Sequence, residues 1–246
     1  MKVRYAAEAF ALALVFFTTG LELALIAGAI LVAGTVLGDT LADRMGKMAA
    51  AVIAFIGTGA LLCLALAWTG FGSNYYLAAC LVGMLVGKHV YDGVEGASAG
   101  EILKQNYIAL AVMAVIAVCR EFLGSGAVFG YEAGSFAVKS NAYNGAAFGL
   151  IFGGLGVAAV YTLLKKENGA DSLWIAVPTA VMMVAASLGS DVMPVLNAAV
   201  AAVIAVVLLV GIRKKMVFSR PGKYFAGLSV EMIALGFLTM MLSVIG

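Results

Sequence analysis

Apolar runs of membrane-crossing length recur along the chain, each closed by a short polar or glycine-bearing break, and they constrain its fold more tightly than any motif. A run of roughly 20 apolar residues crosses the hydrocarbon of a bilayer at about 1.5 Å of rise per residue. Composition agrees, since 64% of the 246 residues are hydrophobic and only 11% are charged, outside the balance of a soluble domain. The expected fold class is all-α: a polytopic membrane protein with about eight transmembrane helices. They fall at about 7–37, 48–70, 75–93, 106–131, 144–164, 172–190, 194–212 and 224–245, separated by Gly38-Asp39, Gly70 to Asn74, Asn168-Gly169, Asp191 to Pro194 and Arg220-Pro221-Gly222. No connector is long enough to divide domains, so 1–246 reads as a single transmembrane domain. The opening Met1-Lys2-Val3-Arg4 leads into an apolar run longer than that of a secretory signal and reads as the start of the first membrane helix.

Lys and Arg near helix ends are retained on the cytoplasmic side. In the eight-helix reading Arg44, Lys47, Lys88, Lys104, Lys165, Lys166 and the basic stretch from Arg213 to Lys223 share one face, while Lys2, Arg4 and Lys139 fall on the other. Both termini are therefore expected to be extracytoplasmic, in a cell (inner) membrane. Three cysteines, Cys63, Cys80 and Cys119, sit in expected spans without CxxC or Cys/His spacing and read as small buried hydrophobes. No permanently bound cofactor is expected.

Two spans carry a carboxylate near their expected middle. Glu22 lies about 14 residues into the first helix and Glu121, beside Arg120, about 14 residues into the fourth. A charge at bilayer depth costs at least about 3 kcal/mol, so it is placed against a partner or a wet cavity. One reading is a carboxylate site for a cation with Arg120 as charge regulator; the other is a salt bridge from Arg120 to Glu22 or Glu121 that holds two helices together. The two helices run in opposite directions in this topology, which is the geometry of an inverted repeat. Repeat 1 would cover about 7–93 and repeat 2 about 106–190, with two additional helices over 194–245.

The stretch Gly20-Leu21-Glu22-Leu23-Ala24-Leu25-Ile26-Ala27-Gly28 resembles the first-helix signature of the oxidase-dependent high-affinity iron permeases, the iron/lead transporter family, whose motif is R-E-G-L-E. The segment Ala109 to Gly130, centred on Arg120-Glu121, is similar to the fourth-helix copy, and the glycine-rich Gly145 to Leu164 fits the helix after it. The resemblance implies a permease of two three-helix repeats that transports iron supplied by an extracytoplasmic oxidase or iron-binding protein. Glu22 and Glu121 would be metal ligands, Thr19 an auxiliary oxygen and Arg120 the charge regulator. The motif's paired glutamates lie three residues apart on one helix face, so two copies offer four hard oxygens. Here Thr18 and Thr19 replace Arg and Glu in the first copy, and Gly124 replaces the last Glu of the second. That loss favours an alternative: a transport-inactive, permease-derived structural subunit of a larger membrane (redox) complex. Arg120-Glu121-Phe122-Leu123-Gly124-Ser125-Gly126 is also faintly similar to a segment of sodium-pumping electron-transport subunits, although the membrane cysteines of that family are missing.

Weaker metal candidates are His89, Asp92 and Glu95, spaced i, i+3, i+6 at the end of the third helix, where a solvated helix end beside Lys88 is the alternative. Tyr131 and Glu132 suit an outer entrance or an interfacial anchor. Glu231 is an intramembrane carboxylate in the last helix. Gly149-x-x-x-Gly153 reads as a close-packing face. Nothing marks a soluble enzyme, a nucleotide-driven pump or a nucleic-acid partner. Membrane lipid and further membrane subunits are the expected surroundings.

Overall fold

The computed structural model describes residues 7–70, 74–93, 99–132, 139–164 and 228–245, with positions 177, 178, 200, 203 and 207. Among these lie seven α-helices: α1 (Ala7–Phe16), α2 (Leu21–Met45), α3 (Lys47–Trp68), α4 (Asn74–Asp92), α5 (Ala99–Ser125), α6 (Ala146–Leu164) and α7 (Leu228–Ile245). A hairpin of β1 (Ala127–Val128) and β2 (Tyr131–Glu132) and a 3-10 turn at Asn141–Asn144 join α5 to α6. Residues 21–45, 47–68, 100–125 and 146–164 form four helices long and apolar enough to cross a membrane, the make-up of a multi-pass helical membrane protein. Apart from those five positions, the spans expected at 172–190 and 194–212 lie outside the described residues, as does part of the second expected repeat.

The segment expected as one helix over 7–37 is instead a helical hairpin. α1 ends at Phe16, residues 17–20 are non-helical, and α2 restarts at Leu21 behind an extended Gly20 (φ −151°, ψ 150°). The sequence at the break, Phe17-Thr18-Thr19-Gly20, combines two β-branched residues with glycine, all poor helix formers. The Thr18 hydroxyl donates to Leu14 O at 2.6 Å, competing with the backbone ladder. Contacts along the helices fix their directions. Glu8 in the first turn of α1 pairs with Lys88 near the end of α4, and Asp39 late in α2 lies 3.7 Å from His89. The start of α1 and the end of α2 are thus at the same end of the bundle. α5 runs beside both, antiparallel to α2, with Asn106 bonded to Thr35 and Glu121 to Leu21.

α1 is apolar all round, as a fully enclosed helix must be. Ala9 through Phe17 are all buried, packed against α4 and α6. α2 passes through Gly38-Asp39 without a break and stops at Gly46, whose φ of +88° suits glycine. Gly38 serves close approach instead, since a Cβ there would lie 2.5 Å from Val90 Cγ2. The tightest packing joins α3 and α4. A Cβ on Gly83 would lie 2.7 Å from Phe55 O and 2.9 Å from Gly59 Cα, so these backbones touch with no side chain between them. On α6 the expected packing face is present: a Cβ on Gly149 would meet Val15 O at 2.5 Å, and Gly153 faces Leu14 and Val15.

Candidate functional site

The break between α1 and α2 leaves two helix ends side by side. The last carbonyls of α1 point into the bundle, carrying the negative end of its dipole, and the first N–H groups of α2 carry the positive end of the other. Arg120 and Glu121, consecutive on the last two turns of α5, serve one end each.

Arg120 is completely buried. Its Nη1 donates to Val15 O at 2.9 Å, Leu14 O at 3.3 Å and Thr18 Oγ1 at 2.7 Å. Nε donates to Tyr143 O at 3.1 Å, and Nη2 to Asn144 O at 3.1 Å and Gly145 O at 3.3 Å. Six oxygens around one guanidinium, five of them backbone carbonyls, use all its N–H directions. The cation therefore closes the C-terminus of α1 and the 3-10 turn before α6 together. Among the described residues Arg120 forms no ion pair with Glu22 or Glu121, so in place of the salt bridge of the alternative reading stand hydrogen bonds to backbone carbonyls and the Thr18 hydroxyl.

Glu121 points to the other helix end. Oε2 accepts from Leu21 N at 2.7 Å, the first N–H of α2, and Oε1 accepts from Phe129 N at 2.8 Å. Phe129 and Gly130 hold φ of 56° and 79°, the left-handed pair of a two-residue type I′ hairpin, with Val128 paired to Tyr131. A phenylalanine in that conformation is uncommon. The carboxylate contact holds its N–H in place, and Ser125 Oγ bonds to Ala127 N and O to complete the turn. Gly124, standing where the resembled motif has a glutamate, faces Asn144: a Cβ there would lie 2.7 Å from Nδ2. A larger residue there would displace the Asn144 side chain.

The expectation that Glu22 and Glu121 lie mid-helix is corrected. Glu22 is the second residue of α2 and is exposed, and Glu121 is near the end of α5. They share a bundle end because Glu22 belongs to α2, which begins at Leu21, and α5 ends at Ser125. Thr19 is partly buried there, and its Oγ1 has no hydrogen-bond partner among the described residues.

At the opposite end His89 and Asp92 turn to different neighbours. His89 is buried and faces Asp39 of α2, whereas Asp92 bonds Lys88 at 2.9 Å, and Lys88 also reaches Glu8 at 3.0 Å. Glu95 lies outside the described residues, as does the side chain of Glu231. Among the described residues no three His, Cys, Asp or Glu side chains form a metal-binding group. The sequence reading missed Thr18, Tyr143, Asn144 and Gly145 as partners of Arg120. Only the threonine-glycine break could have signalled them, because a backbone carbonyl has no residue identity. Comparison with protein-family models, curated proteins and solved structures finds no match to this chain.

Proposed function

We propose that the protein is a transport-inactive structural subunit of a larger membrane complex, its fold derived from a permease-like ancestor. The observation that carries this reading is the use of the Arg120-Glu121 pair. Both charges are engaged by helix ends, and both Glu121 oxygens accept backbone N–H groups instead of facing a vacant cavity. In transporters with broken helices the half-helix ends are left for the substrate ion. Here the chain's own side chains fill that role. The inverted repeat and the iron-permease ancestry belong to the same proposal, resting on the motif resemblance.

Orientation follows from the basic residues. Arg44, Lys47, Lys88 and Lys104 gather at the end where α1 begins, and Lys139 lies near the hairpin at the other end. With that basic end in the cytoplasm, α1 starts inside and the Arg120-Glu121 clamp faces outward, in contrast to the extracytoplasmic N-terminus expected from a single first helix.

Purification from native membranes in mild detergent tests the reading. A stable, stoichiometric complex with other membrane subunits is the expected result, along with no uptake of ferrous or ferric iron by proteoliposomes of the isolated chain. Iron uptake that is lost in Glu22→Gln would overturn the proposal and restore the permease.

A further inference from the structure

Two of the three cysteines come together in the folded chain. Cys63 on α3 and Cys80 on α4 flank the place where these helices touch. Gly59, one turn before Cys63, lies against Cys80: a Cβ on it would be 3.7 Å from Cys80 Cα. Cys63 Sγ reaches Tyr76 O, one turn before Cys80, at 3.9 Å. Cys63 is partly buried and Cys80 exposed, which corrects the expectation that both are buried core residues. Cys119, also exposed, sits on α5.

We propose that Cys63 and Cys80 are a reversible disulfide site that staples α3 to α4. Glycines at the contact bring the two backbones together beside Cys80 and one turn from Cys63, the close approach on which the short Cα separation of a disulfide depends. The co-reactant is a small apolar disulfide able to enter the membrane. The Cys80 thiolate, being exposed, attacks it, forming a mixed disulfide and expelling one thiol. Cys63 then attacks the Cys80 sulfur, which forms the Cys63–Cys80 bond and expels the second thiol. One disulfide is consumed and one formed, and the two thiol protons of the protein pass to the two expelled thiols. The pair lies about 8 Å, five or six residues of helical rise, from the Trp68 and Asn74 ends of its helices. In the orientation proposed above, that is the outward half, where disulfides persist.

The test uses the full chain in mild detergent with 4,4′-dithiodipyridine, which releases a coloured thione at each exchange. The expected result is three thiones per chain but a single retained pyridyl adduct, on Cys119, with a cross-linked Cys63–Cys80 peptide two hydrogens lighter and restored by dithiothreitol. In Cys63→Ser the adduct on Cys80 should persist, giving two thiones and two adducts. Wild-type protein that keeps a pyridyl adduct on Cys80, whether Cys63 is labelled or free, would overturn the proposal. So would a mass unchanged at both residues.

Discussion

Replacing Arg120 with lysine keeps the charge and removes the shape, so it isolates what the guanidinium contributes. Three of its acceptors are served from three different nitrogens: Val15 O from Nη1, Tyr143 O from Nε and Asn144 O from Nη2. Leu14 O and Gly145 O each have a second donor, in the Thr18 hydroxyl and the Gly149 N–H. A lysine places one ammonium nitrogen, which can occupy only one of the three positions, so about two buried carbonyls lose their donor. At roughly 1–3 kcal/mol for each buried group left unsatisfied, Arg120→Lys should destabilise the fold by about 3 kcal/mol. For a chain of this size that corresponds to a fall in Tm of roughly 6–12 °C. The assay is the temperature at which half the protein is lost from the monodisperse peak on gel filtration after heating in detergent. A variant within about 2 °C of wild type would refute the capping role, since the ammonium would then be satisfying every oxygen that the geometry says it cannot reach.

Combining Arg120→Gln with Glu121→Gln should give a loss of stability close to the sum of the two single losses, because the residues serve different helix ends; recovery in the double variant, measured by the same heating assay, would show a direct charge pair. Phe129→Asn should raise stability by about 0.5 kcal/mol, as asparagine adopts the left-handed conformation more readily, and a lower Tm would show that the ring contributes packing of its own. Gly83→Ala should lower stability by about 1–3 kcal/mol by forcing α4 off Phe55 and Gly59, and an unchanged Tm would contradict so close an approach. A small tag inserted immediately before Glu8 should be labelled only from the cytoplasm, and labelling only from outside would return the first segment to a single crossing.

The sequence located helices wherever a hydrophobic run ended in a recognisable breaker. α3, α4 and α6 begin and end within about two residues of expectation, since Gly46, Gly70 and Gly93 carry positive φ at or beside three of these ends. It failed at Thr18-Thr19-Gly20, because 7–37 is predominantly apolar on both sides of the break and hydrophobicity does not distinguish one long helix from two that double back. That misreading displaced what depended on the first segment's depth, while Glu121 moved because α5 spans Ala99–Ser125 instead of about 106–131. Glu22 moved from mid-helix to a first turn, and the start of α1 moved to the opposite end of the bundle. Arg120 and Glu121 were recognisable as residues that need partners, since buried charge is costly wherever it occurs. Their partners were not, because five of the six oxygens around Arg120 belong to the backbone. The meeting of Cys63 with Cys80 was hidden for a related reason: it depends on the register of α3 against α4, which glycine contacts set and spacing along the chain does not show.

The enclosure of α1 bears on how such a chain is made. Ten residues are too few to be retained in a bilayer as a crossing on their own hydrophobicity. The carbonyls at its end meet their donor only when Arg120 arrives, 105 and 106 residues later along the chain. Although α1 leaves the ribosome before α4, α5 and α6, it reaches its final place only after them. It must wait at the membrane surface, or inside the insertion machinery, until α4, α5 and α6 have formed the socket that receives it.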